Sequence, residues 1–475
     1  GTAPLIPCVK DPQVVVRGAR HRFMRAVPEN RNRKMLRLFR SFVRVWLRSN
    51  LRPIESDEFL DFEGWLETTS YSESRKKELR SSLVDVLEDK HYKNKSFIKR
   101  ESYTAPKHAR WINSRSDSFK AFSGPIFKSI EKKLFARDEF IKKVPVSERS
   151  KYIHDLLGDV PVVGTDHTAF EAHMDVSMMN VAEMQLYKYM LKLHPRKEEV
   201  IGCLKRGICN DQYCRYNVGS LQSSVTTQAR MSGDMCTSLG NGFTNLMVMS
   251  FIAKQVGWAS CQGVVEGDDG LFKIGGKLPT SEDFEKLGFS IKMEFAQTPG
   301  ELGFCKLFHA PGEYENLVDP IETVMKFGWT LSPQMHGGVK VIDDLLLAKA
   351  YSSICESPTN PITSVLAARV IEVLGRKTIS RPVDDQWYYD QCVSNLEHCI
   401  QKSKRGPSLS QREFVSRKWG LDVPTQLKIE DYLRTMNIHD SIKCSYLTNE
   451  CSRRFPWWTW AHDNLVVKCS RTSRL

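Results

Sequence analysis

Apolar residues recur at helical spacing from about Met35 to Arg48, where Leu36, Phe39, Val43, Trp46 and Leu47 share one face. Arg33, Arg37, Arg40, Arg44 and Arg48 recur on the other face, which reads first as a solvated surface, with an RNA or lipid contact as the alternative. Ser123-Gly124-Pro125 predicts a turn leading into a helix from Lys128 to Leu134. Val162 and Val163 predict a buried strand with Asp166 at its carboxyl end, and Val176 to Leu191 repeats at helical spacing. Thr237 onward predicts an apolar helix with Thr237 and Asn241 on one face. Gly263 to Lys273 predicts a hairpin, two short apolar runs joined by Glu266-Gly267-Asp268-Asp269-Gly270. Thr280 to Gly288 is predicted as a short capped helix, Phe289 to Phe295 as a strand carrying Lys292, and Leu302 to Phe308 as another strand. Beyond Pro311 the pattern is helical, at Val341 to Glu356, Pro361 to Gly375, Asp384 to Lys402 and Pro424 to Met436. The order from Val162 predicts an α+β fold, a sheet with helices packed on one face.

Composition narrows the setting. The chain has 475 residues, room for two or three subdomains, and 41% hydrophobic content excludes a disordered protein. A net charge of +13 favours a polyanionic partner through counterion release at phosphates, although it also suits acidic membranes. Thirteen cysteines without a C-x-x-C pair read as reduced thiols in a cytosolic protein. Cys203, Cys209 and Cys214 lack paired spacing or a neighbouring His, which argues against zinc. No run of eighteen apolar residues occurs, so no membrane span or signal peptide is predicted. A first residue other than Met suggests a fragment of a longer product, whose upstream part would be free to carry a membrane anchor.

Three polar elements carry the candidate chemistry. Asp166 stands at a strand end, five residues before Glu171, with the His167 backbone carbonyl as a possible further oxygen ligand. Ser232-Gly233-Asp234 forms a flexible loop before the helix bearing Thr237 and Asn241. The Asp268-Asp269 pair is electrostatically costly unless a divalent cation is shared. Asp and Gly are ordinary turn residues, and chance alone puts Gly-Asp-Asp in roughly one chain in ten of this length. Upstream, Phe97 to Arg115 interleaves Lys99, Arg100, Lys107, Arg110 and Arg115 with Tyr103 and Trp111, a pattern suited to phosphate contacts or to a solvated basic loop. The tail holds Trp457, Trp458 and Trp460, which read as buried against a helical domain before they read as a base-stacking platform.

Taken together, Asp166 with Glu171, then SGDMCTSLGN, then EGDD resemble motifs A, B and C of RNA-dependent RNA polymerases of positive-strand RNA viruses, most similar to the tombusvirus-like ones. Lys99 to Arg115 resembles motif F, Ser123-Gly124-Pro125 motif G, Gly288 to Lys292 motif D and Phe304-Cys305 motif E. The resemblance implies a right-hand polymerase with fingers, an RRM-like palm with an antiparallel sheet, and a helical thumb. It assigns residues 1–96 to a basic region contributing to the fingers, 97–157 to fingers and 158–199 to palm. Residues 200–230 become a fingers insertion, 231–310 palm, and 311–475 thumb and C-terminal tail.

The same resemblance implies that Asp166, Asp268 and Asp269, with His167, hold two Mg²⁺ ions, Mn²⁺ being an alternative, and that Lys292 protonates departing pyrophosphate. Glu171, Ser232, Gly233, Thr237 and Asn241 would sense the ribose, while Lys99, Arg100, Lys107, Arg110 and Arg115 would hold triphosphate or line the channel. Partners would be RNA template and product, ribonucleoside triphosphates and other viral replication proteins. The site of action would be the host cytoplasm, at membrane-associated complexes reached through a partner or an upstream segment. Glu171 departs from the usual Asp, Glu266 from a frequent Asn, and His108-Ala109 from a common Pro. The rivals are a reverse transcriptase, which Glu171 and the Glu-Gly-Asp-Asp turn disfavour, and a non-catalytic RNA-binding module, which would be expected to lack Asp166 or Asp268.

Overall fold

The computed structural model describes residues 1–24, 26–331, 333–376, 378–379, 389–390 and 393–466. Two four-stranded sheets organise the first two thirds of the chain. The first is built from β1 (Asn94–Ile98), β2 (Trp111–Arg115), β4 (Gln212–Val218) and β5 (Leu221–Thr227) in the order β2-β1-β4-β5. Its β1 and β4 run parallel, with Asn94 opposite Cys214, so residues beyond 200 complete a sheet begun before residue 100. The second sheet comprises β3 (Val162–His167), β6 (Gly263–Glu266), β7 (Asp269–Lys273) and β8 (Ile291–Ala296), all antiparallel, in the order β6-β7-β3-β8. The Asp-bearing hairpin and the Asp166 strand are therefore neighbours.

The helix Thr237–Gln255 packs its buried length against this sheet, and α2 (Arg33–Asn50) lies against it through Phe39, Val43 and Leu47. A shorter helix, α1 (Pro12–Phe23), precedes α2 and is capped by Asp11, which accepts from the Gln13 amide. Residues from Ile321 to Trp458 bury a separate core of helices, including Val339–Glu356, Thr363–Leu374 and Val423–Thr435. A three-way stitch joins this helical region to the first sheet's loop. The Tyr103 amide donates to the Leu5 carbonyl, Trp458 Nε1 donates to the Tyr103 carbonyl at 2.7 Å, and the Ala3 amide donates to the Trp458 carbonyl. Trp458 is fully buried, whereas Trp457 and Trp460 are exposed and meet each other edge to face.

Three sequence expectations are corrected and a fourth is described only in part. Ser123-Gly124-Pro125 lies inside one continuous helix, Asp117–Leu134, because Ser116 caps its start and Gly124 leaves room for the Trp65 ring. The predicted helix from Val176 to Leu191 divides at Ala182 into Val176–Val181 and Glu183–Met190. Leu302 to Phe308 is not a strand: Leu302 ends a helical turn, and Cys305 and Lys306 take φ of 52° and 65°, forming a tight turn bridged by Phe304 and Leu307. The predicted Asp384 to Lys402 helix is described only in part, as Leu396–Ser403, since residues 384–388, 391 and 392 lie outside the described residues. Among the described residues no helix is long and apolar enough to cross a membrane.

Candidate active site

Sheet register brings the predicted acids together. Glu266 pairs with Asp269 across a two-residue turn, Gly267-Asp268, and Gly267 supplies the positive φ of 60° that turn requires. β7 then pairs with β3 so that Thr165 faces Gly270, leaving Asp166 at the strand end beside the turn. On the other side of β3, Asp166 faces Lys292 of β8, and facing residues of antiparallel strands project to the same side. Both are exposed.

The acids perturb one another. Burial, then the charge of Glu171, then that of Asp269 push the Asp268 carboxyl up to about 7, with Arg22 opposing. Crowding by protein, then Asp166, then Glu266 push Asp269 up to about 6, although its edge is open to solvent. Asp166 thus bears most on the second aspartate of the turn, and Glu171 on the first. An all-oxygen array whose members raise one another's protonation suits a hard divalent cation, which would relieve that repulsion. Among the described residues no three His, Cys, Asp or Glu side chains close into a finished metal cluster, so the fit rests on this donor chemistry. His167 offers only its backbone to such a site. Its ring points to the opposite face, buried among Phe170, Phe284 and Phe289, and burial lowers its pKa to about 4.

Asn245 ties the two acidic strands together. Its amide oxygen meets His167 Nε2 at 3.2 Å and its amide nitrogen donates to the Gly267 carbonyl at 3.4 Å. It stands one helical turn beyond Asn241 on the same face, the spacing by which the sequence marks it. Cys305 of the left-handed turn places its thiol 3.7 Å from Glu266 Oε2 and 3.8 Å from Asp269 Oδ2. Glu266 in turn is held by Arg149 at 2.6 Å, so the glutamate standing where Asn is frequent has its own buried cation.

Glu171 sits in the short turn Phe170–His173 and is held by Arg22 of α1 at 3.2 Å. No pattern in the sequence marked α1 or Arg22 for this role, because the pair spans 149 positions. Ser232 and Gly233 form a loop docked on β2: the Asn113 amide donates to the Ser232 carbonyl at 2.7 Å, and Gly233 has a φ of 92° with Ile112 beneath it. Thr237 donates its hydroxyl to the Met231 carbonyl. Asn241 is buried with its Oδ1 unpartnered.

The basic residues divide into two groups. Arg100, Lys107 and Arg110 are exposed and Lys99 is partly so, with Lys99 and Arg110 both 3.5 Å from Glu101. Arg115, predicted as a triphosphate ligand, differs. It is 3% exposed, donates from Nε and Nη2 to Asp234 at 2.8 and 2.5 Å, and uses Nη1 on Gln212 and the Tyr92 carbonyl. With all three nitrogens engaged, it clamps β2 to the Ser232 loop.

A family model described as viral RNA dependent RNA polymerase matches residues 33–298. The RNA-directed RNA polymerase of Panicum mosaic virus (strain United States/Kansas 109S) is 26% identical to this chain over 234 residues, covering 46% of the chain and 22% of that relative. The match thus spans about a fifth of that protein's length.

Proposed function

Because the chain belongs to the viral RNA-dependent RNA polymerase family, whose model covers over half of it, we propose that it synthesises RNA on an RNA template from ribonucleoside triphosphates. The observation carrying this reading is the β7-β3-β8 register, which gathers Asp166, Asp268, Asp269 and Lys292 at one end of the sheet while Asp268 and Asp269 rise to about 7 and 6. In this reading the second sheet is the palm (158–199 and 231–310). The fingers combine residues 1–96, 97–157 and 200–230, supported by the pairing of β1 with β4, and residues 311–475 form the thumb and tail.

Two Mg²⁺ ions held by Asp166, Asp268 and Asp269, with the His167 carbonyl as a further oxygen, would supply activation of the 3′-hydroxyl and charge neutralisation on the leaving pyrophosphate. Glu171, oriented by Arg22, accepts from the ribose 2′-hydroxyl, and Asn241, whose Oδ1 is unpartnered, lies on the same wall with Ser232, Gly233 and Thr237. A deoxy substrate forfeits the hydrogen bond that this wall offers to the 2′-hydroxyl. Lys99, Arg100, Lys107 and Arg110 attract the triphosphate, and Lys292 hands a proton to pyrophosphate as it leaves.

The test is incorporation of labelled ribo- or deoxyribonucleotides on an RNA template with Mg²⁺, beside an Asp268→Asn control. Ribonucleotide incorporation abolished in the control is expected. No incorporation under any condition, or equal activity in the control, would sink the reading, and preference for deoxyribonucleotides would make the chain a reverse transcriptase.

A further inference from the structure

α2 presents a charged surface that the site above does not use. Arg33, Arg37, Arg40, Arg44 and Arg48 are all exposed, and at about 100° per residue they fall within an arc of roughly 80°, along about 22 Å of helix. The helix contains no acidic residue, and none of the five has an ion-pair partner among the described residues. Some surface arginines elsewhere, such as Arg75, Arg80, Arg196 and Arg453, are each held by a carboxylate. Five like charges left uncompensated on one stripe repel one another, a cost that a bound polyanion removes.

Two polyanions offer themselves, a nucleic acid backbone and an anionic membrane. A helix that rests in a membrane interface needs its apolar face free to enter the lipid. Here that face is spent, since Phe39, Val43 and Leu47 are buried in the core at 0%, 0% and 1% exposure. Leu38 and Val45 are exposed on the flank, but two side chains do not make an inserting face. Arginine's planar fork matches phosphate oxygens two at a time, and phosphodiester binding requires no apolar surface.

We propose that the α2 arginine stripe is a second RNA-binding surface, a track on the outside of the molecule that grips the phosphates of a strand independently of the acidic site. It reads no base, so it binds RNA of any sequence. Its contribution falls as salt rises, by about 0.7 in the logarithmic slope per phosphate for a single strand.

The experiment compares the chain with Arg37→Gln/Arg40→Gln/Arg44→Gln and Arg37→Lys/Arg40→Lys/Arg44→Lys variants. Anisotropy of a labelled unstructured 40-nucleotide RNA is measured from 50 to 200 mM salt without nucleotides, together with extension of a short primed template and sedimentation with phosphatidylserine vesicles. The Gln variant is expected to lower the salt slope by about 2, so that affinity between those two salts falls about 20-fold less than in the parent. The Lys variant should keep the slope, and short-template extension should be unchanged in both. An unchanged slope and affinity in the Gln variant overturns the proposal, as does loss of vesicle binding with RNA binding intact, or an equal loss of short-template extension. RNA binding is read without catalysis, so a chain that grips RNA by α2 yet never incorporates nucleotides would refute the polymerase reading alone.

Discussion

Replacing Arg115 decides between the two roles that sequence and structure give it. In Arg115→Ala, the Asp234 carboxylate, whose side chain is 2% exposed, keeps only the Met235 amide at 2.8 Å. A buried charge stripped of its partner costs about 3–5 kcal/mol, because it keeps its desolvation penalty and loses the attraction that offset it. Asp234→Ala should cost a similar amount, by stranding a guanidinium whose side chain is 1% exposed against Gln212 and the Tyr92 carbonyl. Removing both charges with an apolar pair, Arg115→Met/Asp234→Leu, removes both penalties, so the double variant should be markedly more stable than the sum of the single losses predicts. Urea unfolding followed by tryptophan fluorescence gives the three free energies, and nucleotide KM is measured alongside for each variant that folds. If Arg115→Ala leaves the urea midpoint unchanged while raising KM several-fold, the guanidinium serves the substrate and the clamp is wrong. Strict additivity of the single losses would refute it equally.

Gly240→Ala should destabilise by about 1–3 kcal/mol through overpacking, since the new methyl would land on Glu183 Oε2 and 2.7 Å from Arg230 Nη2, a fully buried ion pair. An unchanged urea midpoint would mean that the pair has room to shift. His309 is 4% exposed, and burial lowers its pKa to about 4, so between pH 6.5 and 4 the unfolded chain binds more protons than the folded one. The stability His309 contributes is complete above about pH 6.5 and drains on acidification to pH 4, by at most about 3 kcal/mol. His309→Gln should flatten that part of the stability profile, with His167 supplying the remainder, and an unaltered profile in the variant would refute the assignment.

Local pattern was enough wherever an element's identity is decided by its own residues. The amphipathic stripe of α2, the hairpin with Gly267 at its turn and the strand of Val162 and Val163 follow from spacing and turn chemistry, and the structure has them where the sequence predicts them. Where the deciding partner is remote, the sequence misleads. Gly124 and Pro125 look like a turn, yet they belong to a helix because the Trp65 ring packs against the missing Cβ. Arg115 looks like its basic neighbours, and only the fold reveals that Asp234, 119 positions away, consumes it. Arg22 and Arg149 were invisible for the same reason, although both neutralise acids that depart from the common pattern, Glu171 and Glu266.

The parallel pairing of β1 with β4 also sets a timetable. At about 5–20 residues per second, the stretch between Ile98 and Gln212 takes on the order of 6–25 seconds to leave the ribosome. Throughout that interval β1 has β2 on one side and a bare, hydrogen-bonding edge on the other, and β3 emerges before the edge is covered. An uncovered edge is an invitation to pair with another chain. Lys93, Lys95 and Lys99 stand along that edge, and charges so placed disfavour pairing with a second copy until Cys214, Arg215 and Tyr216 close the ladder.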